Sequence, residues 1–169
     1  MAADSSIRTI EGLPPAPGLR VAIVVSKYHD FVTDRLQTGA LAALAASGVA
    51  SGDITVVRVP GAFEIPSAAQ HAAASARFDA VVCLGCLIRG ETPHFEYIAS
   101  AVAQGLTTAA GATGVPMAFG VLTTNSVEEA LTRAGAGSGN KGHEAAVAAI
   151  EMASVVAQLT DSQQTNTPT

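Results

Sequence analysis

The run Arg89-Gly90-Glu91-Thr92-Pro93-His94 puts a guanidinium, a carboxylate, a hydroxyl and an imidazole within six residues. It follows an apolar stretch that ends at Ile88 and precedes a helical pattern, so it reads as a strand-end loop feeding a helix. A helix start offers unpaired N–H groups that attract anions, and histidine is the side chain that exchanges protons near neutral pH. The grouping points to proton transfer on an anionic substrate, with His94 as the carrier and Arg89, Glu91 and Thr92 as its company. His29, His71 and His143 lack such neighbours and read as surface residues.

Two other segments could line the same site. Pro60-Gly61-Ala62-Phe63-Glu64-Ile65-Pro66 brackets a ring and a carboxylate between prolines, either as a rigid turn with Glu64 at a helix N-terminus or as a pocket wall that accepts hydroxyl protons. Tyr28 follows another apolar run and offers a flat face for stacking. Arg133 falls late in a helical segment, where a cation complements the C-terminal dipole without any ligand. Gly137-Ser138-Gly139-Asn140-Lys141-Gly142 matches G-x-G-x-x-G, but a helix enters it where a dinucleotide fingerprint requires a strand. It reads as a helix-to-helix link that leaves Lys141 available as a cation.

Cys83 and Cys86 spell C-x-x-C inside an expected strand, where they point to opposite faces about 10 Å apart. A disulfide needs Cα atoms within about 7 Å, so two ordinary buried thiols are expected and no metal site.

Positioning this chemistry requires strands that end together. Apolar runs at 19–25, 54–59, 80–88 and 117–122 are short and rich in Val, Ile or Leu, as strands covered on both faces should be. Each precedes a helical segment, at 31–47, 64–76, 93–112 and 126–134, and a last helix is expected from about 143 to 159. Gly48 and Gly135 sit where helices should stop; Thr92 and Ser126 sit where N-caps belong, with Pro93 at the first helical position. Strand then helix, repeated with short links, indicates a parallel sheet with right-handed crossovers. Ligands in such sheets bind outside the carboxyl ends of the strands, so the loops at 26–30, 60–64, 89–94 and 123–125 should converge.

The 169 residues fit one domain, read as a catalytic domain at 19–159 between a flexible arm at 1–18 and a polar, disordered tail at 160–169. A net charge of −5 argues against nucleic acid or acidic membrane partners. No apolar run approaches the ~20 residues of a membrane span and no basic-then-apolar leader opens the chain, so a cytoplasmic protein is expected. The last helix is apolar at nearly every position from 145 to 157, more than one sheet face can cover, which favours an oligomer.

Four segments together resemble the lumazine synthase family: VPGAFEIP at 59–66, LGCLIRGETPHFEY at 84–97, GVLTTNSVEEALTRAG at 120–135 and GNKG at 139–142. The resemblance spans about 19–157 in consistent order and implies a flavodoxin-like three-layer α/β/α fold with a four-stranded parallel sheet. It implies condensation of 5-amino-6-(D-ribitylamino)uracil with 3,4-dihydroxy-2-butanone 4-phosphate to 6,7-dimethyl-8-ribityllumazine, phosphate and water, the penultimate step of riboflavin biosynthesis, without cofactor or metal. Tyr28 would then stack on the pyrimidine, Ala62, Phe63 and Glu64 would hold the ring and ribityl chain, and Cys86, Leu87 and Ile88 would line the same pocket. Glu91 and Thr92 match the loop that meets the butanone phosphate, and His94 matches the proton-transfer residue. Phe119, Arg133 and Lys141 match positions that reach in from a neighbouring subunit, with Arg133 on the phosphate.

The resemblance further implies a homopentamer, a possible sixty-subunit icosahedral shell, since the short 135–142 link is like that of shell-forming members, and a functional link to riboflavin synthase. Tyr28 stands where phenylalanine or tryptophan is frequent, and His29 where a small polar residue is usual. Rival readings are an archaeal-type riboflavin synthase, a flavodoxin-type electron carrier or receiver, and a shell protein of the same fold without catalysis. No acidic cluster follows the first strand, which argues against a receiver, and the intact Glu64, His94 and Arg133 argue against a bare shell.

Overall fold

A computed structural model describes residues 7–164; the first six residues of the expected arm and residues 165–169 of the expected tail lie outside the described residues. The four apolar runs form β1 (Val21–Ser26), β2 (Ile54–Val59), β3 (Ala80–Ile88) and β4 (Met117–Thr124). All pairings are parallel, in the order β2-β1-β3-β4. Between and after them run α1 (Asp30–Ala46), α2 (Ile65–Ala74), α3 (His94–Thr113), α4 (Val127–Arg133) and α5 (Lys141–Gln164). Among the described residues no helix is long and apolar enough to cross a membrane.

Side-chain alternation sorts the core into two layers. Val21, Ile23 and Val25 of β1 face α1, α4 and α5, with Leu36, Ala130 and Ala146 in the same cluster. Ala22 and Val24 face α2 and α3, with Ile65, Val102 and Leu106. Every residue of β1 is buried, which explains a strand read as one continuous apolar run. At the amino edge of the sheet, Arg20 Nη2 pairs with Asp79 Oδ1 at 3.1 Å, and the Asp79 N–H donates to the Arg20 carbonyl at 2.8 Å, fixing where β1 and β3 start together.

Boundaries differ from the sequence reading where tertiary contacts intervene. Gly48 takes the left-handed conformation (φ 87°) that closes α1, and the Ser126 hydroxyl caps α4 by accepting the Glu129 N–H at 3.1 Å. The expected Thr92 cap is not formed: α3 begins at His94 after Pro93, and its first turn has no side-chain cap. The last helix begins two residues early, at Lys141, because buried Asn140 accepts the N–H groups of Gly142 and His143 at 2.8 and 3.2 Å. The same helix continues to Gln164, into the expected tail. Within the expected arm, Glu11 and Leu13 are held on α5: the Leu13 N–H donates to Ser154 Oγ at 3.0 Å and Gln158 Nε2 donates to the Glu11 carbonyl at 2.7 Å.

Asn140 also donates through Nδ2 to the carbonyls of Arg35 (3.1 Å) and Gly135 (2.8 Å), so one side chain joins α1, the link and α5. Close approach is possible because both helices carry glycine at the crossing: a Cβ on Gly142 would lie 1.9 Å from the Leu36 carbonyl oxygen, and one on Gly39 would lie 2.2 Å from Asn140 Oδ1. Asn140→Ala removes a cap and leaves several buried groups unpaired, so it should destabilise the fold by about 2–4 kcal/mol. Urea unfolding should show a lower midpoint with an unchanged slope; an unchanged midpoint would mean that water replaces the amide at no cost.

Candidate active site

Three strand tips and one helix start build the main cleft. Beyond β1 the ladder continues for two residues, with the Lys27 N–H donating to the Val59 carbonyl at 2.8 Å and the Tyr28 N–H to the Pro60 carbonyl at 3.2 Å. His29 then turns the chain in the left-handed region (φ 59°, ψ 47°), and its carbonyl accepts from the N–H groups of Val32 and Thr33. The buried Thr33 hydroxyl donates back to the Ser26 carbonyl at 2.8 Å, closing the corner. This corner projects Tyr28 outward, 66% exposed, with its ring edge-on to the His29 imidazole at 4.4 Å between centroids.

After β2, one short 3-10 turn over Ala62–Glu64 leads into α2, whose first turn contains Pro66. Ala62 is buried beneath the turn, whereas Phe63 is 61% exposed and Glu64 is also exposed, free to face a ligand. After β3, the Arg89 N–H donates to the Thr124 carbonyl at 2.8 Å, and Gly90 to Pro93 carry the chain to His94. The cleft between these tips measures about 650 Å³ and is also lined by Phe95, Ile98 and Val127. That volume suits a small heterocyclic ligand.

Of the residues singled out in the sequence, Tyr28, Ala62, Phe63, Glu64, Leu87, Ile88, Thr92 and His94 meet around this cleft. Two do not. Cys86 turns its side chain to the opposite face of the sheet, into the α1 and α5 core, and Glu91 is exposed on the loop outside the lining. Arg89 also departs from its expected part as company for His94. Its Nε donates to Asn125 Oδ1 at 3.0 Å, its Nη1 pairs with Glu96, and its guanidinium lies 4.5 Å from the centroid of the Phe95 ring. Glu96 is held below the usual carboxylate range by its own backbone N–H first and by Arg89 next.

Phe119, Arg133 and Lys141 gather elsewhere, in a second cleft of about 360 Å³ between β4, the end of α4 and the start of α5. The two clefts share no lining residue. Lys141 Nζ is paired with Glu144 at 2.7 Å, whereas Arg133 forms no ion pair among the described residues. Phe119 lies on an edge strand and is 49% exposed.

Sequence reasoning missed His29, which is half-buried and lines the main cleft instead of lying on open surface; burial lowers its pKa. Its position in the run directly after Tyr28, at the same strand end, was the available signal. Phe95, Ile98 and Val127 were missed because only the fold brings them to the strand tips.

The two thiols sit on opposite faces as their spacing requires, Cys83 towards α2 and α3 and Cys86 towards α1 and α5. Burial pushes the Cys83 thiol up to about 12 and the Cys86 thiol up to about 11. Neither should react with Ellman's reagent at pH 8 in the folded protein, and both should react in denaturant. Fast labelling of the native chain would show that β3 opens.

A twisted parallel sheet in the order β2-β1-β3-β4, covered by helices on both faces, with its cleft at the carboxyl ends of the strands, defines a flavodoxin-like α/β protein. Residues 18–157 match the family model for 6,7-dimethyl-8-ribityllumazine synthase. A protein of Syntrophus aciditrophicus (strain SB), named 6,7-dimethyl-8-ribityllumazine synthase, is 52% identical over 149 residues, covering 88% of this chain and 97% of the relative. The chain belongs to the 6,7-dimethyl-8-ribityllumazine synthase family.

Proposed function

We propose that this chain is a transferase that condenses 5-amino-6-(D-ribitylamino)uracil with 3,4-dihydroxy-2-butanone 4-phosphate, releasing 6,7-dimethyl-8-ribityllumazine, phosphate and water. Family membership supports the reaction, and the observation that carries the site is the meeting of an exposed ring, a carboxylate and an imidazole around one cleft at the strand tips. Tyr28 stacks on the pyrimidine, and the Ala62 to Glu64 turn holds the ring and ribityl chain, with the Glu64 carboxylate accepting hydroxyl protons. Leu87 and Ile88 form the floor; Cys86 contributes backbone only, since its side chain is buried on the far face.

The reaction joins an aromatic amine to a ketone as an imine with loss of one water, loses phosphate, and closes a second ring with loss of another water. Both reactants are already reactive, so the main contribution is to hold them face to face, an effect that reaches about 7–11 kcal/mol in ideal cases. His94, at the start of α3 on the cleft wall, takes and returns protons during imine formation and phosphate loss, typically worth about 10² to 10⁴ in rate. Thr92 and the adjoining Glu91 segment meet the phosphorylated ketone, beside the N–H groups that open α3.

Phe119, Lys141 and Arg133 complete the site from a neighbouring copy of the chain. The support is their collection in a separate cleft on the β4 edge, sharing no residue with the His94 cleft. Arg133 is then the phosphate-binding cation, able to make a charge-assisted fork to phosphate oxygens. The family resemblance makes that assembly a cyclic homopentamer, and the short link before α5, like that of shell-forming members, supports reading further packing into an icosahedral shell. The enzyme is read as cytoplasmic, handing its product to riboflavin synthase.

His94→Ala should lower turnover by about 10² or more while leaving uracil binding and assembly close to wild type. Product fluorescence with both substrates measures it, and an unchanged rate removes His94 from the chemistry. Arg133→Ser should raise the KM for the butanone phosphate by about tenfold or more and leave the uracil KM within about threefold, as loss of a charged hydrogen-bonding partner predicts. Equal losses for the two substrates would assign Arg133 a structural part instead.

A further inference from the structure

The first turn of α3 carries His94, yet little inside that turn orients it. No side chain caps it, Pro93 supplies no N–H, and Gly90 precedes it in the loop. What does hold the turn comes from the residue that follows β3. Arg89 reaches forward to both residues that follow His94, pairing with the Glu96 carboxylate and lying over the Phe95 ring.

The guanidinium is itself anchored at its rear. The Arg89 N–H donates to the Thr124 carbonyl at 2.8 Å and Nε donates to Asn125 Oδ1 at 3.0 Å. Asn125 in turn donates its N–H to Glu129 Oε2 at 2.9 Å, in the first turn of α4, where Ser126 caps the helix. The clamp therefore runs from a capped corner of β4 and α4, through one guanidinium, to the helix turn beside the cleft.

We propose that Arg89 is a positioning residue for His94, an inference that rests on the reading of His94 as the proton carrier. The guanidinium uses its edge for Asn125, its end for Glu96 and its flat face for Phe95, three directions that a lysine ammonium cannot serve at once. Phe95 lines the cleft, so the clamp sets a wall as well as a helix turn. Arg89 itself is not among the residues lining the cleft, which separates it from groups that touch substrate.

The Arg89 and Glu96 side chains are 47% and 52% exposed, and exposed pairs contribute little to stability. Reacting groups, by contrast, are sensitive to displacements of about 1 Å, which cost on the order of 10² in rate. A positioning part thus predicts a large loss of turnover with a small loss of stability, the reverse of what a structural salt bridge gives.

The test uses the full assembled chain and both substrates in a double-mutant cycle. Arg89→Ala should lower kcat by about 10- to 100-fold, keep the uracil KM within about threefold and leave the melting temperature near wild type. In a His94→Ala background, Arg89→Ala should cause no further loss, because a misplaced and an absent imidazole are equivalent. Arg89→Lys should recover only a small part of kcat. If Arg89→Ala does not fold, Glu96→Gln and Asn125→Ala each loosen one arm, and each should lower kcat in wild type but not in the His94→Ala background. Equal factors in both backgrounds, a full rate in the arm variants, or a raised KM at unchanged kcat would overturn the proposal. A slowed His94→Ala with Arg89→Ala at full rate removes the clamp alone. A full rate for His94→Ala removes the proton-carrier reading and the clamp with it.

Discussion

Parallel pairing of β3 with β1 on one side and β4 on the other is the constraint from which the site follows. Parallel strands joined by helices all end at one edge of the sheet, so residues far apart in sequence are brought to a common rim. Tyr28, Phe63 and His94 belong to three different strand exits, and none would approach another without that pairing. The burial of β1 and most of β3 on both faces makes the register stiff, because a one-residue slip would move every side chain to the wrong layer. Chemistry at the rim is therefore as well placed as the core is well packed.

Cys83 and Cys86 illustrate how far a period-two argument reaches. Their spacing alone puts them on opposite faces, and the two core clusters contain one each. A different signal, short runs rich in Val, Ile or Leu, found all four strands and the rim loops. Alternation also ranks Cys86 below Leu87 as a pocket residue, because position 86 shares its parity with the α1 and α5 core; Ile88 shares that parity too, but it stands at the end of the strand and lines the cleft. The family resemblance named residue 86 for the pocket, and the strand's own alternation restricts what it can offer there.

What escaped the sequence was set by single long-range contacts. Asn140 looks like one more polar residue in a glycine-rich link, yet it bonds to Arg35, 105 positions away, and starts α5 two residues before the apolar periodicity does. Thr92 has the right type and place for a cap, but no cap forms there, and Arg89, outside the turn, pairs with Glu96 within it. Arg89 itself was grouped with His94 by proximity in the chain, while the partners of its side chain lie on α3 and beyond β4. Residue type and spacing locate a site to within a loop. They do not say which of its charged groups face the ligand and which face the scaffold.

The same limit bears on how the proposed reaction gains its speed. Holding two reactants face to face is effective only where the walls are fixed, since rotational freedom left in the walls is freedom left in the complex. In one chain the Tyr28 ring and the turn residue Phe63 are 66% and 61% exposed, and Phe119 and Arg133 stand at another cleft altogether. Large aromatic side chains bury substantial apolar area when covered, and here several remain in contact with solvent. Met152 and Leu159 on α5 add to that surface, on the helix whose apolar residues outnumber what the sheet can cover. On the proposed reading, the cover that fixes these walls and the cation that receives the phosphate come from the same neighbouring surface. Assembly would then be a condition of catalysis by geometry alone, because a lone subunit would hold the pyrimidine loosely and the departing phosphate without its cationic partner.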